Sequence, residues 1–209
     1  MAQYPDKKIV VLMGTLGSGK GTQADKLAEV FGLYHFDTGP FLKELFDSND
    51  PSIEKERVEY KSGKWVSPEF VARKILEKIP ETLPNYNGLI FSGSPRTLYE
   101  AEQELPVFEN LVGKDNIKVF YLNLSETESL KRSMGRLICE KNKHPTPNLP
   151  EFQEIRKSGI CPEDGSRLIK KELDNPATLK SRLAEHNGRT LPVLDYFREK
   201  GYKIIEING

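Results

Sequence analysis

A glycine-rich turn between an apolar run and a helical segment constrains the fold of this chain more than any other feature. The run Lys8–Met13 (KIVVLM) has the β-branched composition of a buried strand, and Gly14–Thr22 (GTLGSGKGT) follows it directly. Glycines in such a turn let backbone amides point at phosphate oxygens, and the next helix adds its positive N-terminal end. The segment therefore predicts a phosphate-binding loop with a mobile charge at Lys20. Its expected nucleotide contacts are Gly17, Ser18, Gly19, Lys20, Gly21 and Thr22.

Further apolar runs alternate with stretches of helical period, which predicts a parallel sheet covered by helices on both faces. The other expected strands are Tyr34–Asp37, Gly88–Ser92, Ile117–Leu122 and Tyr202–Ile207. The expected helices are Gly21–Phe31, Pro68–Ile79, Thr127–Met134 and Pro176–Asn187. The fold class is therefore α/β, with a five-stranded parallel core built from 1–36, 67–135 and 175–209. Two segments that break the alternation, 37–66 and 136–174, are expected to be insertions at the ligand edge of the sheet.

Composition limits the classes of partner that this chain is expected to bind. Lys plus Arg and Asp plus Glu both number 31, so net charge gives no reason to expect nucleic acid or a membrane as partner. The longest apolar run near the N-terminus, Ile9–Met13, is too short to span a bilayer. Two cysteines cannot form a disulfide framework, which favours a reducing compartment. We expect a cytoplasmic monomer whose partners are small anionic molecules.

Several motifs in a fixed order resemble those of the adenylate kinase family, and together they cover nearly the whole chain. GSGKGTQA at 17–24 resembles the phosphate loop of the family, TGPFLK at 38–43 resembles T-G-D-x-L-R, and GSPRT at 93–97 resembles G-F-P-R-T. SGKWV at 62–66 resembles G-x-L-V, which borders the acceptor base in the family. Arginines 132, 136 and 182 resemble those at the two ends of the family's lid.

The resemblance implies a P-loop kinase core with a helical NMP-binding insertion at 37–66 and a lid at 136–174. It implies reversible transfer of the terminal phosphate of Mg-ATP to AMP, with magnesium as the cofactor. Such transfer needs positioning and charge neutralisation rather than a protein nucleophile. The implied catalytic residues are Lys20, Arg96, Arg136, Lys171 and Arg182. Besides the phosphate loop, the implied ATP contacts are Arg132 and Arg136. The implied acceptor contacts are Thr38, Lys43, Lys64, Val66, Gly93, Arg96 and Glu100.

Several of these positions depart from the family pattern. Ser92 stands where the family has an aspartate that helps organise the magnesium-bound water, and Asp37 is a candidate replacement. Lys43 and Lys171 replace arginines and lose the bidentate fork. These changes leave open a second class of function, a nucleotide-binding module with impaired catalysis.

Glu100 bears on the choice of acceptor. It stands where the family has a glutamine, which both donates to and accepts from adenine, whereas an ionised glutamate only accepts. Guanine offers adjacent donors on that edge, so GMP is an alternative acceptor, and CMP and UMP also stay open. A second alternative places Glu100 on the solvent side of its helix. The resemblance favours AMP.

The lid segment contains residues of the types that bind zinc. Zinc-bearing relatives carry paired C-x-x-C and C-x-x-C or C-x-x-D motifs, and the corresponding positions here are Cys139, Asn142, Cys161 and Asp164. Asparagine is a poor zinc ligand, although His144 is near in sequence. The sequence therefore favours a lid held by hydrogen bonds and apolar contacts. We assign no metal-ligating residue from sequence, and structural zinc stays an alternative.

Overall fold

Five parallel strands form the central sheet, and all five were predicted. In the computed structural model, which describes residues 2–48, 50–61, 66–171 and 174–209, the strand order is β2–β3–β1–β4–β8. The strands are β1 (Lys8–Gly14), β2 (Leu33–Phe36), β3 (Gly88–Phe91), β4 (Ile117–Asn123) and β8 (Ile204–Asn208). The prediction of an α/β fold with a five-stranded parallel sheet is confirmed.

Helices follow most of the strands. They are α1 (Lys20–Phe31), α2 (Thr38–Asp47), α3 (Glu54–Lys61), α4 (Pro68–Thr82), α5 (Leu98–Val112), α6 (Glu126–Gly135), α7 (Gln153–Ser158), α8 (Pro176–Glu185) and α9 (Leu191–Glu199). The four predicted helices correspond to α1, α4, α6 and α8. Helices α5 and α9 carry Pro106 and Pro192, and proline weakens the helical signal of a sequence. The chain passes from α8 to α9 through a π-helical turn over His186–Thr190.

Apolar side chains cover both faces of the sheet. On one face, residues such as Val11 and Phe91 pack with Ile75 of α4, Phe108 of α5 and Phe197 of α9. On the other face, Leu12, Ile90 and Leu122 pack with Ala24 of α1. Burial on both faces explains why the strands are continuous apolar runs. Among the described residues, no helix is long and apolar enough to cross a membrane.

A second, smaller sheet lies within 136–174. It is antiparallel, with the order β6–β5–β7, and its strands are β5 (Leu137–Cys139), β6 (Pro145–Thr146) and β7 (Leu168–Ile169). An isolated bridge between Ile160 and Arg167 extends this pairing. Strands of two or three residues are too short to show alternation, so this sheet could not be predicted from periodicity. The pairing brings residues 139–144 next to residues 161–168.

Because the central strands are parallel, their carboxyl ends meet at one edge of the sheet. The glycine-rich turn follows β1, Asp37 follows β2 and Ser92 follows β3. In open α/β sheets this edge is where ligands bind.

Candidate active site

The turn between β1 and α1 has the backbone geometry of an anion-binding loop. Gly17 and Gly19 adopt φ angles of 70° and 86°, which favour glycine. A Cβ at Gly17 would lie 2.9 Å from Ser133 Oγ, so the close packing of α6 on the loop also requires glycine there. Lys20 Nζ donates hydrogen bonds to the carbonyls of Gly14 (2.6 Å) and Thr15 (2.7 Å), which holds the ammonium group over the loop.

Five cations converge on this loop. Burial, together with the charges of Arg96, Arg182 and Arg136, lowers the pKa of Lys20 to about 7, while Asp37 opposes the shift. Burial and the charges of Arg136 and Arg182 also lower the pKa of Lys171. Charges that perturb one another's pKa lie near one another, and a cluster of cations with lowered pKa values is a signal of an anion-binding site. The five predicted catalytic cations therefore lie in one place, although their roles stay predictions.

Asp174 organises two of these arginines. Its carboxylate accepts hydrogen bonds from Arg136 Nε at 2.6 Å and Nη2 at 2.9 Å, and Arg182 Nη1 lies 4.0 Å from Oδ1. The Asp174 side chain is only 4% exposed, so this pairing is stronger than a surface salt bridge. Arg182 Nη1 is buried and has no hydrogen-bond partner within the described ranges, which leaves a donor for an anionic ligand. Sequence analysis did not identify this role of Asp174.

The Ser92 hydroxyl belongs to a hydrogen-bonded chain of three side chains. His35 Nε2 lies 2.7 Å from Ser92 Oγ, and His35 Nδ1 lies 2.6 Å from Asp25 Oδ1. Asp25 accepts only, so Nδ1 carries a proton and Nε2 pairs with Ser92 Oγ. This chain fixes the position of the Ser92 hydroxyl directly after β3. Sequence analysis did not identify His35 or Asp25.

Thr38 and Gly93 meet where the loops after β2 and β3 approach each other. A Cβ at Gly93 would lie 2.9 Å from Thr38 Oγ1, so the contact requires glycine. Thr38 Oγ1 is buried and unpaired in the part of the chain described, as a ligand-binding hydroxyl would be. Lys43 is exposed and pairs with Asp47 at 2.5 Å, and Val66 packs at the margin of the core. Lys64 lies outside the described residues.

Glu100 is buried, which excludes the alternative that it points to solvent. It is the third residue of α5, with Thr97 as the N-cap, and only 4% of its surface is exposed. Oε2 accepts from the Arg96 N–H at 2.8 Å, and Oε1 accepts from Thr97 Oγ1 at 3.2 Å. The Glu100 N–H donates in turn to Thr97 Oγ1 at 3.2 Å, and these contacts together fix the loop that carries Arg96. A role of Glu100 in reading the acceptor base stays a prediction.

Three residues that were not predicted as site residues also contact or surround the site. Arg132, a predicted ATP contact, lies beside it. Burial and the charges of Lys20 and Arg96 lower the pKa of His186 to about 4, so the ring is neutral near pH 7. Thr190 Oγ1 donates to the Arg96 carbonyl at 3.1 Å, and Ser129 Oγ donates to the Leu16 carbonyl at 2.6 Å. Arg132 pairs with Glu128 at 2.9 Å on the helix that packs against the loop.

The lid segment brings four metal-ligand atoms together. Cys139, His144, Cys161 and Asp164 each offer one atom, and these atoms lie within 4.8 Å of one another. Cys139 Sγ lies 3.1 Å from Asp164 Oδ2, and Cys161 Sγ lies 3.5 Å from His144 Nδ1. The histidine, rather than the asparagine at 142, completes the group. Ser166 donates two hydrogen bonds to Asp164 Oδ1 and so leaves Oδ2 directed at the other three.

Comparison with known proteins agrees with this geometry. A sequence model described as adenylate kinase matches residues 12–202. The chain belongs to the adenylate kinase family. An adenylate kinase of Oceanobacillus iheyensis is 32% identical over 203 residues, which cover 96% of this chain and 91% of that protein. One of Staphylococcus epidermidis is 34% identical over 92% of this chain and 87% of that protein.

Membership of the adenylate kinase family confirms the prediction of a phosphotransferase of the nucleoside-monophosphate kinase type. An adenylate kinase of Caldicellulosiruptor bescii, 31% identical over 94% of this chain and 89% of that protein, extends the match to a third genus. The adenylate kinase family also implies magnesium with ATP. The insertion and lid bounds, the roles of single residues, the cytoplasmic location and the monomeric state stay predictions.

Proposed function

We propose that this protein transfers the terminal phosphate of Mg-ATP reversibly to AMP, giving two molecules of ADP. The observation that carries the proposal is the convergence of Lys20, Arg96, Arg136, Lys171 and Arg182 at the carboxyl edge of a parallel sheet. A phosphoryl group in transfer spreads negative charge over its oxygens, and preorganised cations stabilise that charge. A module that only bound nucleotide would have little need of so many.

The roles of the cations follow from their positions. Lys20 reaches the outer phosphates of the donor from the loop, and Arg96 approaches from the loop after β3, beside Thr38 and Gly93, where the acceptor phosphate would lie. Arg136 and Arg182, held by Asp174, approach from the two ends of the lid segment. Closure of this segment over the phosphates would exclude water, which otherwise competes as acceptor.

Magnesium fits the oxygen donors near the loop, although the set is unusual. Asp37 acts electrostatically on both Lys20 and Lys171, so one carboxylate lies near the phosphate site. Its Oδ1 accepts from the Gly39 N–H at 3.1 Å. Carboxylate, hydroxyl and water oxygens suit a hard cation. Asp37 and Ser92 Oγ would hold the ion through its water shell, and the ion would supply positive charge to the phosphate oxygens.

The acceptor is tested by assaying phosphoryl transfer from Mg-ATP to AMP, GMP, CMP and UMP in parallel, with binding of each measured by calorimetry. We expect the highest kcat/KM with AMP, because Glu100 is occupied by its own loop and offers guanine no free carboxylate. A preference for GMP would contradict this choice and assign base recognition to Glu100. Binding of nucleotides without turnover on any acceptor would favour the nucleotide-binding module.

We also propose that the lid segment binds a structural zinc ion through Cys139, His144, Cys161 and Asp164. Tetrahedral zinc with thiolate, imidazole and carboxylate ligands places its donor atoms about 3.3–3.8 Å apart. The pairs Cys139–Asp164 at 3.1 Å and Cys161–His144 at 3.5 Å need only small shifts to meet this geometry. Cys161 and Asp164 lie between the bridged residues Ile160 and Arg167, and Cys139 ends β5. The ion would therefore join the two halves of the small sheet.

We expect purified protein to contain one zinc ion per chain and the Cys161→Ser variant to contain none, as measured by elemental analysis. If the ion contributes about 2 kcal/mol, its removal by chelation should lower Tm by about 4–8 °C. Asn142→Ala is the matched control, since it changes the position that sequence spacing suggested, and it should keep the metal. Metal-free protein with an unchanged Tm after zinc addition would reject the site.

A further inference from the structure

Ser94, Glu100 and Glu104 form a buried polar cluster beside the loop that carries Arg96. We call these three residues the Ser94 cluster. Their exposed fractions are 4%, 4% and 0%. Ser94 Oγ lies 2.6 Å from Glu104 Oε1 and 3.2 Å from Glu100 Oε2, so one hydroxyl touches two carboxyl groups. Glu104 Oε2 has no hydrogen-bond partner among residues the structure describes.

The Ser94 cluster needs one proton more than the Ser94 hydroxyl supplies. The Ser94 hydroxyl has one proton and can satisfy only one of its two carboxyl neighbours. A close contact between Ser94 Oγ and the second carboxyl therefore needs a further proton. Glu100 accepts from the Arg96 N–H and from Thr97 Oγ1, as an ionised carboxylate does. Glu104 meets no N–H donor within the described chain, so the further proton belongs on Glu104.

We propose that Glu104 is a positioning residue for phosphoryl transfer, held as a neutral carboxylic acid that donates to Ser94 Oγ. The Ser94 hydroxyl then donates to Glu100 Oε2, and the Glu100 carboxylate is free to hold the Arg96 N–H. Glu104 thus acts on Arg96 through two intermediates without touching substrate. This inference rests on the proposed function for its kinetic consequence, whereas the protonation of Glu104 can be observed without any turnover.

The surroundings of Glu104 agree with a neutral acid. Burial, partly offset by the Ser94 hydrogen bond, raises the pKa of Glu104 well above its ordinary value, and the charge of Glu100 adds to the rise. Helices α4 and α9, strands β1 and β4 and the short turn Lys114–Asn116 pack against α5, and their described residues, Lys114 included, bring no cation to Glu104. Burial also raises the pKa of Glu100, but there the Arg96 N–H, the Thr97 hydroxyl, the charge of Arg96 and the Ser94 hydroxyl all oppose the rise and favour the ionised form. A buried carboxylate without a cation or several donors is too costly to persist.

Four variants separate this role from a merely structural one. Glu104→Gln keeps the shape and a hydrogen-bond donor at every pH, whereas Glu104→Leu removes both polar atoms. Ser94→Ala removes the bridge and keeps both carboxyl groups. Glu102→Gln, an exposed residue on the same helix, is the matched control. All are compared with the wild-type chain for folding by thermal melting before any assay.

The first readout is the infrared band of a carboxylic acid C=O group near neutral and mildly alkaline pH. We expect the wild type and Glu102→Gln to show a buried acid band at about pH 8, well above the ordinary pKa of glutamate, and Glu104→Gln to lack it. Above about pH 5 the unfolded chain has lost the Glu104 proton while the folded chain keeps it, so the stability of the wild type should fall with rising pH relative to that of Glu104→Gln. A wild type without the band would overturn the proposal.

The second readout compares the change in KM for the acceptor with the change in KM for ATP. Leaving Glu100 and Ser94 with unmatched hydrogen bonds should raise the acceptor KM about tenfold in Glu104→Leu and Ser94→Ala. The KM for ATP should change less than about twofold, and Glu104→Gln should stay near wild type because its amide replaces the acid as donor. Equal acceptor KM values in all four variants would also overturn the positioning role. If no acceptor is turned over by the wild type, the proposed function fails while the infrared result still decides the state of Glu104.

Discussion

Replacing Lys20 with alanine should lower kcat by about 10²- to 10³-fold, because the change removes a preorganised charge from the transferring phosphate. The ammonium group is held over the loop by the Gly14 and Thr15 carbonyls, so it needs little reorganisation to meet phosphate oxygens. Steady-state assays with saturating Mg-ATP and AMP measure the effect. The matched control is Lys26→Ala, an exposed lysine on the same helix, which should keep wild-type kcat.

The lowered pKa of Lys20 gives the same prediction an independent signature. With a pKa of about 7, a large fraction of Lys20 is neutral at about pH 8 when no anion is bound. Phosphate oxygens favour the charged form and raise this pKa, so ATP binding should take up protons at about pH 8 and fewer at about pH 6. Calorimetry in buffers of different ionisation enthalpy measures this uptake. Wild-type kcat in Lys20→Ala, with unchanged proton uptake, would show that another group carries the charge.

The phosphate loop could be predicted from sequence because all of its determinants are local. Gly17, Gly19 and Lys20 lie within four residues, and their roles follow from backbone conformation and the helix start that they form. The strands of the core could also be predicted from sequence, because burial on both faces leaves a continuous apolar run. Such features need no knowledge of what the rest of the chain brings near them.

The partners that complete the site could not be predicted in this way, because each is distant in sequence. Asp174 meets Arg136 across 38 positions and His35 meets Ser92 across 57, and neither distance leaves a periodic signal. The lid shows the same limit. Spacing pointed to Asn142, whereas the turn after β5 carries the chain past it and returns His144 to Cys161. Tertiary folding, rather than composition or period, decides these pairs.

The Ser94 cluster shows a further limit of sequence reasoning. Glu104 stands on an amphipathic helix as one of several glutamates, and a charged residue there is usually solvated. Its burial follows from the register of α5 against the core, where Ala101, Leu105 and Phe108 share the inner face. Only the placement of the neighbouring Ser94 hydroxyl reveals what the glutamate does. The sequence showed that Glu100 differs from the family, but not that Glu104 on the next turn contacts the same Ser94 hydroxyl.

Arg182→Ala should lower kcat by about 10²- to 10³-fold while changing the KM for ATP much less, since a charge that acts on the transferring group matters most in the transition state. Burial and the charges of Arg96 and Arg136 lower the pKa of Arg182, and its Nη1 lies buried without a hydrogen-bond partner in the described chain. Arg182→Lys should recover only part of the rate, because lysine keeps the charge and loses the planar fork. Lys180→Ala, an exposed cation on the same helix, serves as the control.

A competing explanation is that Arg182 serves only to neutralise Asp174, which Arg136 also contacts. The two explanations differ in a double variant. If Arg182 only balances the Asp174 charge, then Asp174→Asn should restore the rate of Arg182→Ala, because the uncompensated carboxylate is gone. If Arg182 acts on the transferring phosphate, Asp174→Asn should leave the Arg182→Ala defect in place and instead loosen Arg136. We expect no restoration in the double variant, because Arg182 Nη1 lies 4.0 Å from Asp174 Oδ1, too far for a hydrogen bond, and so keeps a donor for a phosphate oxygen.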